Sequence, residues 1–183
     1  MAALTADIVG LLRKTILDSY KYSDGFPILK ELVQNANDAS ATEMSICFVP
    51  GIPEAKHELL RNPALVVYNN GSFTPRNERA ILRIADNNKE SDRTKIGKFG
   101  LGMKSIFHLC DMFFYAVNTE NAEKQEDRVK YHLETNNPWE DDIDERHTEW
   151  KDFSDSDKKL FEKALPIDMK ETQGFLIWIP GKT

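Results

Sequence analysis

Glu31, Asn35 and Asp38 are spaced i, i+4 and i+7 in a segment whose Leu29, Leu32, Val33 and Ala36 form an apolar stripe. Helical geometry sets those three polar groups together on another face of one helix. Asparagine and aspartate are poor helix formers, so crowding them into neighbouring turns works against the helix that carries them. Carboxylates and an amide clustered on one helix face make a candidate site. The same spacing also occurs on ordinary amphipathic helices with a solvated side, so this pattern needs company to mean chemistry.

Company comes from Gly97-Lys98-Phe99-Gly100-Leu101-Gly102, which runs directly into helical sequence. Glycines let a backbone approach a ligand closely and turn its N–H groups inward, and a following helix N-terminus favours phosphate. Arg93, Lys95, Lys98 and Lys104 make the stretch cationic, with no acid between 93 and 104, in a chain of net charge −6. That contrast points to a small anionic ligand, although a purely structural glycine turn fits the loop alone. The G-x-x-G-x-G spacing is neither the dinucleotide fingerprint, which follows an apolar strand, nor a P-loop.

Taken in order, with Tyr68-Asn69-Asn70-Gly71 between them, the motifs resemble the GHKL class of ATP-binding domains. That class includes heat-shock-90 chaperones, gyrase B, MutL and histidine kinases. Its signature is an E-x-x-x-N helix with a following D, then D-x-G-x-G, a lid loop, and G-x-x-G-x-G. Within the class, E-L-V-Q-N-A-N-D-A-S-A-T-E at 31–43, Y-N-N-G-S-F-T-P at 68–75 and K-I-G-K-F-G-L-G-M-K-S-I-F-H-L at 95–109 look like the sacsin version. The resemblance covers roughly residues 20–117.

The resemblance implies a Bergerat fold that binds ATP or ADP with Mg²⁺ and acts as a nucleotide switch with a mobile lid at 86–95. It implies Asn35 as the magnesium ligand and Glu31 as the general base that activates water. Asp38, Ala39, Asn69 and Gly71 would line the nucleotide pocket. Lys95, Gly97, Lys98, Phe99, Gly100, Leu101 and Gly102 would wrap the phosphates. The glutamate favours hydrolysis over phosphotransfer to a protein histidine. A nucleotide-gated binding module with little turnover remains the alternative to an ATPase. Other domains of a longer chain, and ATP-dependent self-association, are the implied partners. The chain departs from the class at three places: Asn69 replaces the base-reading aspartate, Phe73 replaces the second glycine of that box, and Phe175 follows Gly174 where a threonine is usual.

The 183 residues, 40% hydrophobic and 30% charged, suit one globular domain over 1–183, expected to be the front part of a longer protein. Net acidity argues against direct binding of nucleic acid or an anionic membrane. Cys47 and Cys110 lack metal-ligand spacing and read as buried thiols; with no secretory-type start, a cytoplasmic setting is expected. The periodicity predicts helices at 5–20, 28–39, 75–85, after the glycine loop to 110, and 155–165. It predicts strands at 44–49, 64–68, 112–117, 129–133 and 175–179, with an acidic irregular surface between 134 and 157. Helices and strands in that order favour an α+β two-layer sandwich: helices on one face of a mixed, mostly antiparallel sheet.

Overall fold

A computed structural model describes residues 27–82, 106–107, 109–137 and 149–182. The predicted helix at 5–20, the 86–95 loop and the glycine loop with most of its following helix lie outside these residues. Helix α1 spans Pro27–Asp38, with proline at its first position, where the missing N–H costs no hydrogen bond. Strand β1 (Met44–Val49), the one-turn α2 (Glu58–Arg61), β2 (Ala64–Asn69) and α3 (Pro75–Leu82) follow. Then come β3 (Phe113–Asn118), β4 (His132–Asn136), the short α4 (Glu149–Asp152), α5 (Asp155–Ala164) and β5 (Gly174–Pro180).

The strands form one sheet in the order β1-β2-β5-β3-β4, and every pairing is antiparallel. β5, last in the chain, inserts at the centre between β2 and β3. All seven of its residues are buried, as a strand covered on both faces requires.

Alternation along the strands feeds two apolar layers. Val67, Phe113, Tyr115, Val117, Phe175, Ile177 and Ile179 meet Leu32 of α1 and Ile81 of α3. Val66, Phe114, Ala116, Leu176 and Trp178 meet Leu60 of α2 and Phe161 of α5, together with Phe153 and Met169. The α+β sandwich of sheet and helices stands. The expected arrangement placed helices on one face only; here α2, α4 and α5 also cover the second. The acidic stretch hid that cover, because its apolar residues are few but large. Phe114 lies 4.9 Å from Phe161 and 5.5 Å from Phe153 between ring centroids, and Phe161 lies 4.9 Å from Trp178. Trp150 and Trp178 are therefore packing residues.

Two boundaries differ from the periodicity. The strand expected at 129–133 is found at His132–Asn136. The hydroxyl of Thr119 accepts from Val129 N–H at 3.0 Å, so a side chain takes the donor that would extend the ladder. Leu133 to Asn136 then pair with Ala116 to Phe113, which draws part of the acidic stretch into the sheet. On α1, Val33 belongs to the predicted stripe yet is 47% exposed, whereas Leu32 and Ala36 are buried. Cys110 is buried and Cys47, on the edge strand, only half-buried; both are free thiols. No described helix is long and apolar enough to cross a membrane.

Two ionised groups fasten the layers. Asp157 of α5 accepts from the backbone N–H groups of Lys56 at 2.8 Å and His57 at 3.2 Å, tying the second cover to the loop before α2. Burial raises its pKa, but the hydrogen bonds from Lys56, Ser154 and His57 outweigh that and hold it below the ordinary 3.8. On the other face, Glu78 of α3 accepts from the Tyr115 hydroxyl at 3.2 Å and bonds His132 Nε2 at 2.5 Å. His132 Nδ1 faces the Lys130 carbonyl at 2.9 Å. Both partners can accept, so a ring protonated at both nitrogens satisfies the two bonds together. Burial alone would lower its pKa; the bonds to Glu78 and Lys130 and the nearby Glu134 carboxylate raise it above 6.5.

The signs of these shifts differ. Asp157→Ala should cost about 2 kcal/mol, the scale of hydrogen bonds to a charged acceptor, measured as a lower denaturant midpoint near neutral pH. That contribution is present above the usual aspartate range and fades as pH falls through the depressed pKa. The His132–Glu78 contribution is complete below pH 6.5 and is lost as pH rises through the raised value. NMR titration of the His132 ring should give a pKa above 6.5 in the native chain and a lower one in Glu78→Gln. An unchanged value in the variant would contradict the assignment.

Candidate functional site

The end of α1 and the turn after β2 are built against each other. α1 stops in a Schellman motif: Ala41 N–H donates to Ala36 O at 2.9 Å and Ser40 N–H to Asn37 O at 2.9 Å. Ser40 takes the left-handed conformation, φ 58°, that glycine usually supplies there. The stop leaves the Ala39 carbonyl accessible. It accepts from Ser72 N–H at 2.9 Å and from the Ser72 hydroxyl at 3.2 Å. Asn70 completes the junction. Its Oδ1 accepts from both Thr42 and Glu43 N–H at 2.9 Å, and its Nδ2 donates to the Thr42 hydroxyl at 2.9 Å.

Gly71 sits where this turn touches the helix. A Cβ there would stand 2.7 Å from Ala39 Cβ and 2.9 Å from both Ala39 O and Asn69 Oδ1. Gly174, at φ 137°, passes behind the same turn, and a Cβ there would stand 2.2 Å from Asn69 O. Both positions require glycine, the first for space and the second for space and backbone angle.

Between α1 and the sheet lies a cavity of about 30 Å³ lined by Leu32, Asn35, Ala39, Val67, Asn69, Ser72, Phe73, Phe175 and Ile177. Three residues proposed from sequence, Asn35, Ala39 and Asn69, thus meet in one wall. Asn35 is half-buried, and its Nδ2 is buried without a hydrogen-bond partner among the described residues. Such an orphan costs free energy and is met most often where a ligand or water completes it. Asn69 Oδ1 accepts from Gly71 N–H at 3.0 Å, which uses one of its two lone pairs and leaves the other. Glu31 and Asp38 are half-buried on α1 and do not line the cavity. Gly71 borders a second, wider cleft of about 410 Å³, which also takes in Thr119, Lys124, Gln173 and Gly174. Lys95, Gly97, Lys98, Phe99, Gly100, Leu101 and Gly102 lie outside the described residues.

Sequence reasoning missed the rest of the cavity. Ser72, Leu32, Val67 and Ile177 are ordinary in type, and only their placement makes them wall. Asn70 carried a signal, because consecutive asparagines before glycine are strong turn formers with side chains suited to backbone bonding. Phe73 and Phe175 stood out only as departures. They form a stacked pair, centroids 4.5 Å apart and planes at 9°. Among the described residues no group of three or more His, Cys, Asp or Glu side chains is placed to hold a metal ion.

A model of the Sacsin domain matches residues 6–182, nearly the whole chain. The chain belongs to the sacsin domain family. Sacsin of Homo sapiens is 41% identical over 100 residues, half of this chain and 2% of the human protein. Protein NO VEIN of Arabidopsis thaliana is 33% identical over 94 residues, 49% of this chain and 3% of the plant protein. This sacsin-family chain therefore spans a very small part of the length of either relative.

The junction makes a direct prediction. Gly71→Ala should destabilise the domain by about 1–3 kcal/mol, as overpacking does, because both walls of the contact are fixed by hydrogen bonds. Chemical denaturation measures it; a change below ~0.5 kcal/mol would show that the turn yields.

Proposed function

We propose that this sacsin-family domain is a Mg²⁺-dependent nucleotide-binding module of the GHKL class that hydrolyses ATP and serves as a switch within a longer protein. The observation that carries the reading is the shared wall of Asn35, Ala39 and Asn69. Asn69 stands 30 or more positions from Asn35 and Ala39, yet all three, selected by motif, line one cavity that keeps an amide unsatisfied among the described residues. Pockets with an apolar lining and a few convergent polar groups are the usual form of small-molecule sites.

In this reading the Asn35 amide oxygen holds magnesium, a hard cation that takes few protein ligands and keeps several waters. Magnesium supplies charge neutralisation on the phosphates when bound. Glu31, one turn earlier on α1, takes the proton of the attacking water. The second lone pair of Asn69 Oδ1 accepts from an exocyclic amine of the base. Lys95 and the glycines from Gly97 to Gly102, with Lys98, Phe99 and Leu101 between them, supply the phosphate contacts. The donor types suit the phosphate and metal end. The base end does not fit as it stands: about 30 Å³ holds roughly one or two water molecules and no base.

Phosphate release at millimolar Mg-ATP tests the reading. Native chain should turn over. Glu31→Ala should lose at least about a hundredfold in rate, the scale of general-base removal, while still binding ATP. Asn35→Ala should lose the magnesium dependence of binding. Binding with no turnover in any form would favour the gated, non-hydrolysing module. No binding in any folded form would end the nucleotide reading.

A further inference from the structure

We infer that Phe73 gates the base pocket: stacked on Phe175 it holds the pocket shut, and a nucleobase enters only when Phe73 turns into the adjoining cleft. This rests on the nucleotide reading and adds to it the residue that decides whether a base is admitted.

Phe73 is 4% exposed and Phe175 9%, and their rings lie parallel at 4.5 Å. Both line the 30 Å³ cavity beside Asn35 and Asn69. A nucleobase is a flat π-system that would seek the same face of Phe175, so Phe73 stands in the place where a base would stack. Phe73 and Ser72 are also walls of the 410 Å³ cleft, which has room for a displaced phenyl ring. The backbone on either side is pinned. Ser72 N–H donates to Ala39 O at 2.9 Å, Phe73 O accepts from the Thr119 hydroxyl at 3.0 Å, and Thr74 N–H donates to Asn77 Oδ1 at 2.9 Å. Opening is therefore a side-chain rotation that merges cavity and cleft, with no movement of the turn. Because it takes a buried ring out of the core, the closed form dominates without ligand. Apparent affinity is the intrinsic affinity scaled by the open fraction.

The test compares native chain, Phe73→Ala and Phe73→Leu by calorimetric titration with Mg-ATP, inorganic tripolyphosphate with Mg²⁺, and free adenine. Phe73→Leu keeps the core filled but cannot stack, and carries the test if the alanine variant does not fold. Expected are ATP binding about tenfold tighter or more in both variants, unchanged tripolyphosphate binding, and a rise in the melting temperature of Phe73→Ala with adenine that the native chain lacks. In the native chain, ATP should abolish NMR contacts between the Phe73 and Phe175 rings and create contacts from Phe73 to Ala122. Equal ATP affinity in all forms would overturn the gate and leave the nucleotide reading standing. Tripolyphosphate binding that tightens in step with ATP would also overturn the gate, because the substitution would then act away from the base. Failure of every folded form to bind either phosphate compound would sink the nucleotide reading, and the gate with it.

Discussion

The contact between the Asn69–Ser72 turn and the end of α1 is the constraint on which the rest depends. It has no slack: Gly71 leaves no room for a Cβ against Ala39, and the Ala39 carbonyl takes two bonds from Ser72. Asn70 spends its amide on the α1–β1 loop rather than on anything in the pocket. These bonds set the distance between α1 and the edge of the sheet, and so set the width of the space that Asn35 and Asn69 share. A site carried on two elements needs such a fixed junction, because side chains alone cannot hold a separation.

The sheet supplies the other half of the frame. β5 lies at its centre, pairs with β2 and β3, and sends Phe175 and Ile177 to the cavity and Leu176 and Trp178 to the second cover. Asp157 and the Glu78–His132 pair close the two layers from opposite faces and titrate in opposite senses. A fall in pH through the depressed Asp157 value loosens one tie, and a rise in pH through the raised His132 value loosens the other.

Much of this could be read before the structure, for reasons of short range. β1 and the helix from Pro27 follow local periodicity, and α5 announces itself through Ser154, whose side chain accepts from Asp157 N–H as an N-cap should. Of the residues that the motifs singled out, Asn35, Ala39 and Asn69 line one cavity, and Glu31 and Asp38 do not. What escaped is long-range. β4 begins at His132 because Thr119 intercepts Val129, and nothing in the alternation of Val129, Tyr131 and Leu133 records that. Part of the second cover escaped because charge density in the stretch concealed Trp150 and Phe153. Phe73 and Phe175 were visible as substitutions, but that they stack on each other and fill the cavity is a property of the turn and the central strand together.

Two departures from local rules lie at the rim of the cavity. Ser40 is held left-handed where glycine would be relaxed, and Asn35 keeps a buried Nδ2 without a partner among the described residues. Each is a stability cost that a sequence selected only for packing would shed. A leucine at 35 would satisfy the apolar wall of Leu32, Val67 and Ile177, and a glycine at 40 would end the helix without strain. Costs of this kind persist where surrounding structure enforces them, and they gather at binding sites. The phenyl pair belongs to the same account. It closes the apolar side of the cavity and leaves the polar wall in place behind it. In the proposed reading, a cavity closed by a side chain that can turn away, with its polar wall preserved, is a closed site rather than core.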